Sequence, residues 1–253
     1  MAASRQGKSA SNIHIGIGGW NYAPWRDNFY PAGLAQTREL EYASRHLTAI
    51  EINSTYHGTQ KRTSFANWRD ATPDGFVFSV KASRFCTNRR VLAEATQSVT
   101  YFFNQGLVEL GDRLGPVNWQ FMGTKKFDPD DMEAFLKLLP REAGKQPLRH
   151  ALEVRHESFR DKRFYDLCRK YRVAIVYAQD EDFPEIDEPT ADFTYARLMG
   201  TSDKVKTGYK PAELDKWAKQ AKAWAKRGDV FVYFISGAKV RNPAAAQALI
   251  ERV

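Results

Sequence analysis

The sequence predicts one α/β domain of the TIM-like (β/α)8 barrel class, with parallel strands inside and helices outside. Three observations favour this fold. Short β-rich runs alternate with helical patterns along the chain, which is typical of parallel sheets. About eight such runs in 253 residues match the size of one closed barrel. No linker or repeat divides the chain. An open doubly wound sheet has the same periodicity and is the competing interpretation.

Eight segments rich in β-branched and aromatic residues are interpreted as the strands. They are 13–19, 48–53, 76–82, 117–121, 150–155, 173–178, 193–198 and 230–236. Apolar residues at helical spacing predict helices over 38–47, 128–140, 163–172 and 211–228. A last helix is predicted from Asn242, interpreted as its N-cap because Pro243 suits the first helical position. The connection 180–192 is interpreted as a loop.

The first residues are small, polar and basic, so residues 1–12 are predicted to be disordered and residues 13–253 to form the barrel domain. They lack the apolar segment of a secretory signal, and no run of the chain is long enough to cross a membrane. We therefore expect a cytoplasmic protein without a membrane partner. Cys86 and Cys168 are too few for a disulfide framework, and are interpreted as reduced thiols in the core.

The net charge of +8 and the sequence pI near 9.4 favour anionic partners. Part of this charge lies on the predicted helix 211–228, where lysines fall opposite an apolar stripe. The stripe consists of Leu214, Trp217, Ala221 and Trp224, and the lysines are Lys216, Lys219, Lys222 and Lys226. A solvated outer face is the simpler interpretation of the lysines, and a surface that follows nucleic-acid phosphates is the alternative.

Strand parity predicts which side chains face the barrel axis, because successive residues of a strand point to opposite faces. In the first strand, the isoleucines suit the helix side, so His14, Gly16 and Gly18 face inward, followed by Trp20. Glycines there leave space for a bulky neighbour or a ligand. The same alternation directs a polar set inward near the ends of the other strands: Glu51, Asn53, Ser79, Lys81, Asn118, Gln120, Glu153, Arg155, Tyr195 and Arg197, with Asp180 after the sixth strand.

The carboxyl ends of the strands form the reactive face of barrel enzymes. A buried charge without a partner costs several kcal/mol, so the converging polar groups must bind each other, water or a ligand. Three cations and three carboxylates are near balance in this set. A ligand site is the favoured interpretation, and a self-satisfied network that only closes the barrel is the alternative.

The residue types suggest roles within this predicted site. Glu51 and Glu153 come from nonadjacent strands and are the candidates for catalytic acid and base. Three cations suit a clamp for phosphate or carboxylate: Lys81, Arg155 and Arg197. Asn53 and Gln120 would orient the ligand, and Tyr56 and Asp180 complete the polar substrate-binding set.

Three aromatic residues occupy the first strand-to-helix loop: Trp20, Tyr22 and Trp25. As substrate-binding candidates they would stack on a base or a sugar ring, but packing beneath the loop is the slightly favoured interpretation. No cofactor is predicted. The five histidines are scattered without helical i, i+4 spacing, so a metal site is weakly supported; a divalent ion held by Glu51, Glu153 and Asp180 stays the alternative.

Several blocks carry a resemblance to a known family. They are GIGGWNYAPWRDNFYP (16–31), EINSTYHG (51–58), FVFSVK (76–81), WQF (119–121), LEVRHESF (152–159), YARLMG (195–200) and VYFISG (232–237). In order and spacing the chain resembles the YecE-like family, also called domain of unknown function 72. The resemblance implies a TIM-like barrel and a polar site at the positions named above, and it implies no established reaction.

The chain departs from the family pattern at the predicted reactive face. His57 stands where members often have Tyr, and Met122-Gly123 where a Pro-Pro pair is common. Met199 replaces a usual His, and Ile235-Ser236 follow Phe234 where the family usually carries paired Asn. These departures put catalysis by a family mechanism in doubt.

Three functional hypotheses follow. The first is binding, with hydrolysis or isomerisation by acid–base chemistry, of a small anionic substrate such as a phosphorylated sugar or nucleotide. The second is binding or processing of nucleic acid through a basic surface. The third is a small-molecule binder that has lost reactive groups at Met199 and Ser236.

Overall fold

The computed structural model of the protein describes residues 13–253, and the predicted disordered segment 1–12 lies outside them. Eight parallel strands form the centre. In chain order they are Ile13–Gly18, Ala49–Ile52, Val77–Lys81, Leu114–Gln120, His150–Glu153, a sixth strand in two parts, Phe193–Leu198 and Asp229–Phe234. The parts of the sixth strand are Ala174–Ile175 and Tyr177–Gln179. All eight predicted strands are confirmed.

The ring closes through the sixth strand. Its first part pairs with the fifth strand and its second part with the seventh, and the eighth strand pairs with the first. Between the two parts, the Val176 N–H donates to the Leu152 carbonyl over 2.9 Å. Every strand therefore pairs with its neighbours along the chain, which confirms the barrel and contradicts the doubly wound alternative.

Helices surround the strands. The longer ones are Glu39–His46, Arg62–Asp70, Thr96–Asn104, Pro129–Leu138, Lys162–Tyr171, Pro211–Ala225 and Asn242–Ile250. Single turns occupy Ser54–His57 and Arg84–Thr87. Asp128 and Asp161 cap two of the helices by accepting N–H groups of the first turn. No helix among residues 13–253 is long and apolar enough to span a bilayer.

The last helix corrects one prediction. Asn242 is its first residue and Arg241 occupies the cap position, so Asn242 is not the N-cap. The Asn242 amide is used elsewhere: its Oδ1 accepts from the Thr201 hydroxyl over 2.8 Å, and its Nδ2 donates to the Ser236 carbonyl. These bonds join the helix start to the loops that follow the seventh and eighth strands.

Two apolar clusters confirm the predicted parity. Ile15, Ile17 and Phe78 belong to the outer cluster between strands and helices, as do the two free cysteines. The inner cluster fills the barrel axis, where His14 stacks on Phe231 with ring centroids 5.1 Å apart.

Two glycines of the first strand permit close approach. A Cβ on Gly16 would lie 1.7 Å from the Ala49 carbonyl oxygen. A Cβ on Gly18 would lie 2.8 Å from the Asn53 amide nitrogen and 2.6 Å from Ile235 Cδ1. Gly18 therefore leaves space for larger side chains, as the sequence predicted, whereas Gly16 permits the close approach of the Ala49 backbone.

Candidate functional site

A cavity of about 750 Å³ opens at the carboxyl ends of the strands. This volume lies within the range of small-molecule sites. Seven residues of the predicted site line it: Trp20, Asn53, Tyr56, Lys81, Gln120, Arg155 and Arg197. They come from the ends of the second, third, fourth, fifth and seventh strands and from the segments that follow the first and second strands.

Arg197 is the centre of the site, and its side chain is 2% exposed. One terminal nitrogen donates to Glu153 Oε2 over 2.7 Å, and the other donates to Glu51 Oε1 over 3.1 Å. Both glutamates are completely buried. We call Glu51, Glu153 and Arg197 the carboxylate layer. It forms because strand parity turns all three side chains into the barrel at neighbouring heights.

The remaining oxygens of the carboxylate layer are also bonded. Glu51 Oε2 accepts from the Tyr195 hydroxyl over 2.6 Å, and Asn118 Nδ2 donates to both glutamates. Arg155 donates to Glu153 Oε1 over 2.6 Å and to the Gln120 amide oxygen over 2.9 Å. The two carboxylates are thus satisfied by the protein itself, as buried charges must be.

These contacts fix the charge of the layer. Burial alone would raise the pKa of Glu153, but the positive charges of Arg197, Arg155 and Lys81 outweigh it and hold that pKa at about 2. Burial opposes the charge of Arg197 as well, and the two glutamates outweigh it and raise the pKa of the guanidinium. Glu153 and Arg197 therefore stay ionised at physiological pH.

Lys81 lies in the same cavity without such a partner. It is 9% exposed, and its Nζ lies 4.6 Å from the centre of the Tyr56 ring. Among residues 13–253, no carboxylate oxygen lies within ion-pair distance of Nζ, since neither glutamate of the layer pairs with it. Burial and the charge of Arg197 lower the pKa of Lys81 to about 8, against the weaker opposing effect of the two glutamates.

Three buried polar atoms at this site have no protein partner. They are Arg197 Nε, Asn118 Oδ1 and Asn53 Oδ1. Arg197 and Asn53 belong to the cavity lining, but these two atoms are themselves buried and are not open to the cavity. An unsatisfied buried polar group costs about 1–3 kcal/mol, a cost that the described protein contacts leave uncompensated.

The structure places five predicted site residues outside the cavity lining. Glu51 and Glu153 lie behind Arg197. Trp25 is completely buried, and its indole N–H donates to the Lys239 carbonyl over 2.9 Å. Tyr22 packs edge-on against Trp25, and Asp180 accepts from the Asp182 N–H in the next loop.

For Tyr22 and Trp25 this placement favours packing beneath the loop over stacking on a ligand, because the loop packs them against each other and against the turn that follows the eighth strand. The predicted balance of charge is also corrected. No aspartate or glutamate lines the cavity within the described chain, and four cations do: Lys81, Arg155, Arg197 and Lys239.

Sequence reasoning missed several lining residues. Lys239 and Asn242 follow the eighth strand, and Trp68 lies on the helix Arg62–Asp70, where it meets Trp20 with ring centroids 5.2 Å apart. The rule that strand-to-helix loops build the reactive face could have found Lys239. Trp68 carried no such signal, because it lies in the middle of an amphipathic helix. Ser236, also in the lining, adopts a φ of 58°, a left-handed conformation that non-glycine residues rarely adopt.

A metal centre is not assembled by the described residues. Within 13–253, no group of three or more His, Cys, Asp or Glu side chains is placed to hold a metal ion. The alternative set of Glu51, Glu153 and Asp180 is separated, because Asp180 turns into the loop after the sixth strand.

With the barrel and its polar mouth established, comparison with known proteins decides the family. Residues 14–253 match the family described as "Protein of unknown function DUF72". The chain belongs to the DUF72 family. The resemblance inferred from the sequence blocks is therefore confirmed.

Two curated relatives carry UPF0759 names. YecE of Escherichia coli K12 is 30% identical over 150 residues, which is 58% of this chain and 50% of that protein. YunF of Bacillus subtilis strain 168 is 26% identical over 182 residues, which is 70% of this chain and 62% of that protein. The chain thus aligns with about half to three-fifths of the length of these relatives.

Solved structures agree on the fold. A DUF72 family protein from Thermotoga maritima has a TM-score of 0.74 at 22% identity, covering 94% of this chain and 97% of that one. D-Psicose 3-epimerase from Clostridium cellulolyticum H10 has a TM-score of 0.54 at 14% identity, covering 92% and 89%. At these identities the similarity shows a shared barrel fold and nothing about the reaction.

Proposed function

We propose that this DUF72 protein binds a small anionic molecule, of the phosphorylated or carboxylated class, in the cavity at the barrel mouth. One observation carries the proposal: four cationic side chains line the cavity, and no described carboxylate does. The carboxylate layer neutralises part of this charge from behind, and the excess faces the cavity. An anion would complete the balance.

The individual groups suit such a ligand. Arg155 and Arg197 present guanidinium groups, which match the oxygens of phosphate and carboxylate. Gln120 and Asn53 add amide groups to the lining, which can donate to or accept from a hydroxyl or amine of the ligand. Trp20 and Trp68 add an apolar side against which the carbon skeleton would pack.

Turnover by hydrolysis or isomerisation, with Glu51 and Glu153 as acid and base, stays a prediction. The geometry favours a different role for the two glutamates. Each is enclosed and bonded to Arg197, and Glu153 is held ionised by two guanidinium groups. We infer that they position Arg197, so that its guanidinium faces the ligand in one fixed orientation.

Thermal stabilisation by inorganic phosphate tests the proposal. A ligand that binds only the folded protein raises the Tm as its concentration rises. We expect phosphate at constant ionic strength to raise the Tm of the wild type, and Arg155→Ala to reduce that increase. Arg155 is the suitable position, because Glu153 keeps its ion pair with Arg197 when Arg155 is removed.

The matched control is Arg38→Ala, which removes an exposed guanidinium outside the cavity. It should leave the phosphate effect unchanged. A Tm that does not respond to phosphate, or that responds equally in the wild type and Arg155→Ala, would contradict the proposed anion site.

Nucleic-acid binding is the second candidate, and one surface favours it. The predicted apolar stripe and lysine face of helix Pro211–Ala225 are confirmed, and Lys219, Lys222, Lys226 and Arg252 line a shallow depression on the outside of the barrel. None of them lines the mouth cavity. Affinity for a single-stranded oligonucleotide should then fall steeply as the salt concentration rises. The double variant Lys219→Ala/Lys222→Ala should bind the oligonucleotide more weakly, while its binding of phosphate at the mouth is unchanged.

The third hypothesis, a small-molecule binder without catalytic activity, concerns Met199 and Ser236. Met199 is buried in the inner apolar cluster, whereas Ser236 lines the cavity. If anion binding is shown without turnover, restoring His at 199 and Asn at 236 distinguishes a degenerate enzyme from a dedicated binder by whether activity appears.

A further inference from the structure

Lys81 combines three properties that the other described lysines do not share. Its side chain is buried at the end of the third strand, it lines the cavity, and its ammonium group has no carboxylate partner within 13–253. Two guanidinium groups, Arg197 and Arg155, act on it electrostatically. Since those arginines always keep their protons, Lys81 is the cation of this cluster that can give up its own.

We propose that Lys81 is an amine nucleophile, and that the anion which binds in this cavity carries an aldehyde or ketone group with which Lys81 forms an imine. The proposal rests on the proposed anion site, which it deepens by naming the substrate class. The substrate would be a small carbonyl compound that bears a phosphate or carboxylate group.

The step balances without any further reagent. The lone pair of the neutral Lys81 amine attacks the carbonyl carbon, a C–N bond forms, and the carbonyl π electrons move to the oxygen, which takes a proton while nitrogen loses one. The nitrogen lone pair then expels the carbinolamine oxygen, which takes a proton and leaves as water, and the resulting iminium gives up its remaining N–H proton. The products are an imine at Nζ and one water molecule, and no electron is gained or lost.

The surroundings supply what the step requires. Nucleophilic attack needs a neutral amine, and burial beside a second cationic group is a known route to one. Arg197 and Arg155 favour the neutral form, Glu153 and Glu51 oppose it, and the Tyr56 ring faces the ammonium group. The net result is a pKa of about 8, so an appreciable fraction of Lys81 is neutral at physiological pH. The same guanidinium groups would hold the anionic end of the substrate beside the amine.

Lys239 is the natural comparison, because it also lines the cavity. It is only half-buried, and its Nζ lies 4.4 Å from the centre of the Tyr22 ring and 5.6 Å from that of Trp25. Burial lowers the pKa of Lys239 as well, but neither arginine of the pair adds to that shift. Lys239 therefore suits anion attraction at the rim, while Lys81 suits covalent chemistry in the interior.

Pyridoxal 5′-phosphate is a suitable probe, because it joins an aldehyde to a phosphate. The wild-type protein is treated with less than one equivalent at pH 8, reduced with borohydride and mapped by peptide mass spectrometry. About half of Lys81 is neutral at that pH, against under about 1% of an ordinary lysine, so we expect Lys81 to be labelled at least about tenfold faster than the exposed Lys216.

Four comparisons make the labelling specific. Pyridoxal, which lacks the phosphate, should label Lys81 several-fold more slowly. Inorganic phosphate should protect Lys81 and not Lys216. The labelling rate of Lys81 should level off above pH 8. Lys81→Met, checked for folding by circular dichroism, should lose the phosphate-dependent label.

The outcomes separate the two proposals. If phosphate raises the Tm but Lys81 is labelled no faster than Lys216, the imine is refuted and the anion site stands. If pyridoxal labels Lys81 as fast as its phosphate ester does, the amine is reactive but unconnected with an anion, which also refutes the proposed imine with an anionic substrate. If neither Tm nor labelling responds to phosphate, both proposals fail.

Discussion

The carboxylate layer and the wall that carries Lys81 border the same cavity, yet they treat positive charge in opposite ways. In the layer, Glu51 and Glu153 bracket Arg197 at 3.1 and 2.7 Å, and the guanidinium is held ionised. At the wall, Lys81 meets an aromatic ring and no carboxylate, and burial with the nearby guanidinium lowers its pKa. Burial is similar in both regions, so the position of the carboxylates decides the difference.

This difference separates stability from reactivity. A buried cation with two carboxylate partners contributes to folding and offers little chemistry. A buried cation without a partner destabilises the folded protein and becomes a reactive group. Substitutions on the two sides should therefore change the free energy of unfolding in opposite directions.

The largest effect is expected from Arg197→Met. The change leaves two buried carboxylates without their shared partner, and removal of one member of a buried ion pair costs about 3–5 kcal/mol. Urea unfolding measures it. Arg38→Met, which removes an exposed ion pair, is the control and should change the stability little. A small loss in Arg197→Met would show that the layer is not a stabilising unit.

The second-largest effect is expected on the stability of the protein in acid. The folded pKa of Glu153, about 2, lies below its ordinary value of 4.5, so the stability that its ionisation contributes is complete above about pH 5 and lost as the pH falls towards 2. The loss amounts to roughly 3 kcal/mol as an upper bound. We expect Glu153→Gln to flatten the dependence of unfolding free energy on pH in this window. Glu251→Gln, at an exposed position, should keep the wild-type slope, and equal slopes in both variants would contradict the assignment.

Lys81→Met should change stability in the other direction. Because the folded pKa of Lys81 lies below its ordinary value of 10.5, protonation of Lys81 destabilises the folded protein fully below about pH 8, and not above about pH 10.5. We expect a gain of about 1–3 kcal/mol at pH 7 that shrinks as the pH rises towards 10. Lys216→Met is the exposed control. Destabilisation by Lys81→Met at pH 7 would mean that the ammonium group has a stabilising partner.

The smallest effect is expected at the rim. Lys239→Ala removes a half-exposed charge from the cavity and should weaken phosphate binding about threefold, since exposed charges contribute up to about 1 kcal/mol. The midpoint of the phosphate-dependent Tm change measures it, with Lys216→Ala as control. A loss as large as that of Arg155→Ala would place the anion at the rim and not against the arginines.

The alternation of side chains along the strands explains why the residues of both regions could be predicted from the sequence. Glu51, Lys81, Glu153 and Arg197 were assigned to the barrel mouth because a strand alternates its faces, and register with parallel neighbours then sets their height. Parity does not reveal which of two cations a carboxylate will pair with. That choice depends on side-chain rotamers and on distances across the barrel, and the sequence around each residue does not indicate either of them.

The loops were less predictable for a related reason. Trp25 and Tyr22 follow the first strand, but the loop folds back and packs them against Lys239, more than two hundred residues away in sequence. Asp180 also follows a strand, and its carboxylate caps its own loop. A residue in a loop after a strand lies near the barrel mouth. Contacts with residues distant in sequence then determine whether its side chain points into the cavity.

The divided sixth strand has a mechanical consequence. Its first part pairs with the strand that bears Glu153 and its second part with the strand that bears Arg197, so neither part pairs with both neighbours and a seam in the strand pairing runs through 174–179. The Glu153–Arg197 contact bridges this seam from inside the barrel. Loss of this contact at the mouth should therefore loosen the barrel wall along 174–179, and amide protons there should exchange faster than in the wild type.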